Sequence, residues 1–127
     1  MLKSLNFVNR VALSSFSNTR NYVTHVTKDT WGKLVLEAKR PVVVQFSAAW
    51  CSPCKILEPA LEKAVGEKGN IDFVKLDIDQ EPALTENYSI TSIPCVFGFS
   101  KGEPVFKFFG AIPPPQIKRY LDQLDQK

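Results

Sequence analysis

Two cysteines, Cys51 and Cys54, stand two residues apart in the segment Trp50-Cys51-Ser52-Pro53-Cys54. Thiols at that spacing can close a small disulfide ring without moving the rest of the chain, so the pair can pass reversibly between dithiol and disulfide. The reacting species in such exchange is the thiolate. Upstream lies Val42-Val43-Val44-Gln45-Phe46, an almost unbroken apolar run of the kind that forms a strand buried on both faces. Downstream, Leu57, Leu61, Ala64 and Val65 recur at helical spacing. Cys51 is therefore expected at a helix N-terminus, exposed, where free N–H groups and the helix dipole favour its thiolate. Cys54, one turn further in, is expected to be shielded.

The elements that must hold this pair follow from the rest of the pattern. After residue 22 the chain alternates β-branched and helical runs in the order β-α-β-α-β-α-β-β-α, an α/β domain rather than a sandwich or a bundle. Strands are expected over residues 22–27, 42–46, 71–76, 96–99 and 105–108. Helices are expected over residues 30–38 with Asp29 as cap, from Cys54 with a kink at Pro59 and closure at Gly66 and Gly69, and over residues 82–88 and 117–124. Lys101-Gly102-Glu103-Pro104 reads as a hairpin turn. Pro113-Pro114-Pro115 reads as the start of the last helix, where missing N–H donors cost nothing, in preference to a polyproline ligand.

Composition bounds the function. The 127 residues suffice for one domain, and 44% hydrophobic content with fourteen aromatic residues can supply a core. No apolar stretch approaches the roughly 18 to 20 residues of a membrane span. The net charge of +3 sits in residues 1–22, which hold Lys3, Arg10 and Arg20 and no acid, whereas residues 23–127 carry thirteen basic and thirteen acidic side chains. A basic stripe for nucleic acid or membrane has no support in that balance. The acid-free, Ser- and Asn-rich leader has the composition of a transit peptide, with Leu2, Leu5, Val8, Ala12, Leu13 and Phe16 on one broad helical face. Its Arg20-Asn21-Tyr22 resembles a mitochondrial processing boundary. The organisation expected is a transit peptide over residues 1–22 and one domain over residues 23–127, located in the mitochondrial matrix.

Residues 42–57, VVVQFSAAWCSPCKIL, resemble the thioredoxin family, and specifically its mitochondrial branch. Lys75-Leu76-Asp77-Ile78-Asp79-Gln80, Ser92-Ile93-Pro94, Lys101-Gly102-Glu103 and Phe109-Gly110 match the family in the same order. The resemblance implies a thioredoxin fold, a central mixed five-stranded sheet flanked by four helices. It implies a protein disulfide reductase in which Cys51 attacks a target disulfide and Cys54 resolves the mixed disulfide. The implied partners are an NADPH-dependent thioredoxin reductase and disulfide-bearing proteins such as peroxiredoxins. No cofactor is expected in the chain itself, which contains neither a Gly-x-Gly-x-x-Gly nor a Walker loop, and it is expected to act as a monomer. By the same resemblance Trp50 shapes the contact surface beside the disulfide, unless it is simply core. Pro53 stiffens the ring, Pro94 is cis, Ile93 offers its main chain to an extended substrate, and Gly110 leaves room for that segment.

Three positions depart from the family pattern. Ser52 replaces a glycine; its hydroxyl either bonds the Cys51 thiolate or is a tolerated exposed change. Gln45 replaces a buried aspartate and cannot take a proton. Lys75 would then lose its charge partner, and is expected either to act on Cys54 as an unpaired, more readily neutralised amine or to extend to solvent without a role. Cys95 replaces a threonine and is either a small buried apolar residue or a third thiol able to react with Cys51.

Rival readings come from other classes. Cys51, Cys54, Cys95 and His25 make a Cys₃His count that a structural zinc would need, but His25 reads as a solvent-facing strand residue. A thioredoxin-like interaction module with reduced or specialised redox activity keeps the fold and drops the turnover. Asp77, Asp79 and Glu81 lack the spacing of a calcium loop and read as solvated or capping groups.

Overall fold

The run at 42–46 becomes a central strand, because its β-branched and aromatic side chains can be buried on both faces only where the sheet has neighbours on either edge. In the computed structural model, which describes residues 23–126, this strand is Val42–Ser47 (β2), and all six of its residues are buried. The leader, with its proposed processing boundary, lies outside the described residues. Around β2 the elements follow in the expected order. They are β1 (Thr24–His25), α1 (Gly32–Leu36), α2 (Ser52–Lys68), β3 (Asp72–Asp77), α3 (Pro82–Asn87), β4 (Cys95–Ser100), β5 (Glu103–Phe109) and α4 (Pro114–Asp122). A tight 3₁₀ turn, Gln123–Gln126, finishes the described chain.

The sheet is mixed and five-stranded, in the order β1-β3-β2-β4-β5. β1, β3 and β2 are parallel, and β4 and β5 run antiparallel to their neighbours. Alternation along the strands divides the core between two faces. Val42, Val44 and Phe46 join Trp31, Val35, Leu84, Phe97 and Phe99 under α1 and α3. Val43 and Val96 join Leu57, Leu61, Val65, Phe106, Phe108, Ile117 and Leu121 under α2 and α4. Two helices therefore cover each face, as expected for the thioredoxin fold. No helix among the described residues is long and apolar enough to cross a membrane.

Several boundaries differ from the expected ones for local reasons. β1 is two residues long, because its pairing with β3 is limited to Thr24 and His25 opposite Val74 and Lys75. The first helix is shorter than 30–38 and wide: Glu37 N–H donates to Gly32 O at 2.8 Å, a five-residue closure. Asp29 does not cap it. The turn before it is held by Thr30 Oγ1, which accepts from Thr27 N at 2.9 Å. α2 runs on through Pro59 and Gly66 and ends only at Gly69, whose φ of 78° allows the left-handed cap that returns its N–H to Val65 O. The hairpin turn is tighter than four residues. Lys101 and Gly102 take φ of 54° and 81°, the primed geometry that fits twisted strands, and Glu103 already pairs with Ser100. Prolines 113–115 stand at the start of α4, as expected.

α2 and α4 are tied by Lys68, whose Nζ donates to Asp122 Oδ1 at 2.6 Å and also to Asp125. The bond to Asp122, then that to Asp125, raises the Lys68 pKa, and the Lys68 ammonium holds the Asp122 carboxyl below the usual carboxylate range. The Asp122 contribution is present above the unfolded carboxylate pKa and fades as pH falls through its lowered folded value. The Lys68 contribution is present below the unfolded ammonium pKa and fades as pH rises through its raised folded value. Lys68→Met is expected to flatten both limbs of the stability-against-pH curve measured by urea unfolding. On the sheet, a Cβ at Gly98 would overlap the ring of buried Phe106, whereas one at Gly66 meets nothing. Urea titration should find Gly98→Ala less stable by about 1–3 kcal/mol and Gly66→Ala more stable by about 0.5–1 kcal/mol.

Candidate active site

The turn after β2 delivers the cysteines to the first turn of α2. Cys51 is the N-cap, in extended conformation, and its Sγ accepts a hydrogen bond from Cys54 N at 3.2 Å. A sulfur thus does the work that a serine or aspartate oxygen does at most helix starts. Pro53 lies in the first turn, where its missing N–H costs nothing. Cys51 and Cys54 are joined as a disulfide, with Cα atoms 5.3 Å apart. The backbone N–H and the helix terminus face the sulfur on which charge develops when that bond opens.

The expected exposure of Cys51 is not found. In the disulfide form Cys51 is 4% exposed and Cys54 is 2% exposed, because Ala48, Ile78 and Ile93 pack around both sulfurs. What the site shows to solvent is instead the ring of Trp50. Trp50 is 66% exposed, so it is not a core residue. Its Nε1 donates to Asp79 Oδ2 at 2.9 Å, which steadies the ring beside the pair. Asp79 is thus more than a solvated acid. The sequence carried a signal for this bond only in the family-like 75–80 segment, since the partners are far apart along the chain. Asp77 Oδ1 accepts from Asp79 N at 2.9 Å, a capping role in keeping with expectation.

The Ile93–Pro94 peptide is cis, as the resemblance implied. Pro94 is buried, and its carbonyl accepts from Gly110 N at 2.9 Å. Gly110 has φ of 90° and open space where a Cβ would stand, so the backbone conformation, and not crowding, demands glycine there. Ser52 is exposed, and the bond into Cys51 Sγ comes from the Cys54 backbone.

Beneath Cys54 the side chains are polar. Gln45 is fully buried; its Nε2 donates to Cys54 O at 3.2 Å, and its Oε1 has no partner. Lys75, opposite Gln45 in the β2–β3 register, is not the unpaired ammonium expected from the sequence. Its Nζ donates to Glu58 Oε1 at 2.9 Å, and the two side chains are 22% and 24% exposed. Sequence reasoning missed Glu58. The available signal was its position four residues after Cys54, on the same face of α2.

Cys95 lies apart, fully buried with Trp31, Phe97 and Phe99. Burial pushes its thiol up to about 11, against a lowering by Lys107. His25 is exposed on β1, and among the described residues no three His, Cys, Asp or Glu side chains converge on a point that could hold a metal. Cys95 thus occupies the place of a small buried residue in the aromatic cluster. Mass mapping after mild peroxide treatment is expected to find only the Cys51–Cys54 bridge. Iodoacetamide should label Cys95 only after unfolding or as pH nears about 11; a native Cys95 bridge would overturn this.

Comparison with known proteins agrees with the geometry. The family model described as Thioredoxin matches residues 22–123. A chloroplastic M-type thioredoxin of Brassica napus is 39% identical over 110 residues, covering 86% of this chain and 62% of that protein. A thioredoxin of Streptomyces clavuligerus is 41% identical over 95 residues, covering 75% of this chain and 89% of its own length. A mitochondrial thioredoxin of Bos taurus is 40% identical over 91 residues, covering 71% and 55% respectively. Matched through its whole sheet, with a disulfide at the start of α2 and a cis-proline loop beside it, the chain belongs to the thioredoxin family of thiol–disulfide oxidoreductases.

Proposed function

We propose that this protein is a general protein disulfide reductase of the mitochondrial matrix. The observation that carries the reading is the Cys51–Cys54 pair at the N-terminus of α2, beside the exposed ring of Trp50, which suits a protein partner. In the reduced chain the Cys51 thiolate attacks one sulfur of a target disulfide; a Cys51–target bond forms and the other target sulfur leaves as a thiolate. Cys54 then attacks Cys51 Sγ, the intramolecular disulfide closes, and the second target thiolate departs. Two electrons pass from the chain to the target, and both released thiolates take up protons. Ile93, beside the sulfurs, and Gly110, with open space over it, suit an extended target segment that lies along the site by main-chain pairing. A thioredoxin reductase using NADPH returns the two electrons, and peroxiredoxins are fitting targets.

The compartment rests on the leader. Its acid-free composition and Arg20-Asn21-Tyr22 support mitochondrial import, with relatives of similar identity in mitochondria, chloroplasts and bacteria. N-terminal sequencing of the protein from its own cells is expected to find a chain starting near Val23; an intact leader would defeat the import reading. In NADPH-coupled insulin reduction with a mitochondrial thioredoxin reductase, wild type is expected to turn over and Cys51→Ser to be inactive. Cys54→Ser should stop after one attack and accumulate a mixed disulfide, visible by mass. Target binding without turnover by the wild type would favour a redox-silent interaction module instead.

A further inference from the structure

Cys54 is shielded, and a shielded thiol must lose its proton before it can attack Cys51. The side chain that reaches its backbone, Gln45, cannot accept that proton. The nearest carboxylate on the same helix face is Glu58, one turn beyond Cys54, and it is fixed in place by Lys75. Cys54, Glu58 and Lys75 line one pocket of about 160 Å³ between α2 and the end of the parallel strands, enough for several waters.

We propose that Glu58 is the proton acceptor for Cys54 during resolution, acting through water in this pocket, with Lys75 as the residue that positions it. The inference rests on the reductase reading and adds the proton's route. The Cys54 S–H proton passes by water to the Glu58 carboxylate, and the thiolate attacks Cys51 Sγ. The Cys51–target bond breaks, and the departing target thiolate is protonated from Glu58 or solvent. The other ionisable side chains lining the pocket are His25 from β1, Lys55 from α2 and Asp77 from β3. Lys55 holds no free electron pair while charged. Asp77 already accepts from Asp79 N, and His25 is exposed on the edge strand β1.

The test is the rate of resolution, read by rapid quench from a preformed Cys51–peptide mixed disulfide across pH 6 to about 10, the range that brackets an ordinary thiol. Glu58→Gln keeps shape and removes the acceptor. It should slow resolution on the order of 100-fold or more at neutral pH and converge on wild type once pH exceeds the thiol's own pKa. Glu58→Asp should recover part of the loss, and Gln45→Asp in the Glu58→Gln background should recover more, by placing a carboxylate against Cys54. Lys75→Met should slow resolution less than Glu58→Gln. His25→Gln and Asp77→Asn should follow wild type. A Glu58→Gln profile equal to wild type, or slowed by one factor at every pH, overturns the proposal, as does a pH-dependent loss in His25→Gln or Asp77→Asn instead. Wild type that fails to reduce insulin at all would sink the reductase reading itself, a different outcome from an active wild type with an unaffected Glu58→Gln.

Discussion

The register of β2 is the constraint from which the site is built. With neighbours on both edges and both faces covered, a slip of one residue would exchange Val42, Val44 and Phe46 for Val43 and Gln45 and bury each set in the wrong core. The strand therefore ends at one place, and the turn that follows places Cys51 at the first position able to accept the free N–H of Cys54. The same register sets Gln45 opposite Lys75 and points the lysine toward the helix that carries the cysteines. Redox pair, buried amide and ion pair are thus set by one apolar run.

What could be read from the sequence was whatever a local pattern dictates. The apolar run of β2, the helical spacing of Leu57, Leu61 and Val65, the hairpin about Gly102 and the prolines of α4 each depend on near neighbours along the chain. The element order and the helical start at the cysteines follow from them. The rest depended on packing at a distance. β1 is short because only two of its residues meet β3, and the five-residue closure of α1, Glu37 N–H to Gly32 O, has no signal in the local pattern. The Glu58–Lys75 and Trp50–Asp79 contacts join residues 17 and 29 positions apart, which no periodicity reveals. Cys51 was expected to be exposed because helix starts often are. Ile78 and Ile93, brought in from other elements, cover it.

The polar interior beside α2 has a cost. An unpartnered buried carbonyl such as Gln45 Oε1 sacrifices about 1–3 kcal/mol relative to a satisfied one. A leucine of similar volume would avoid that cost, but it would leave the Cys54 carbonyl without its side-chain donor. The amide trades stability for a fixed first turn at the place where sulfur chemistry happens, a compromise common where local rules are broken at working sites.

The sheet also places Cys95 in a different core cluster from the Cys51–Cys54 pair. Cys95 belongs to the layer under α1 and α3, while Cys51 and Cys54 pack together with Ala48 at the start of α2. An oxidant that reaches Cys51 finds Cys54 in position to rescue it as a disulfide before further oxygen is added. Fidelity of pairing is thereby favoured by the architecture: Cys54 stands ready one turn from Cys51, and the third thiol is buried in an aromatic cluster.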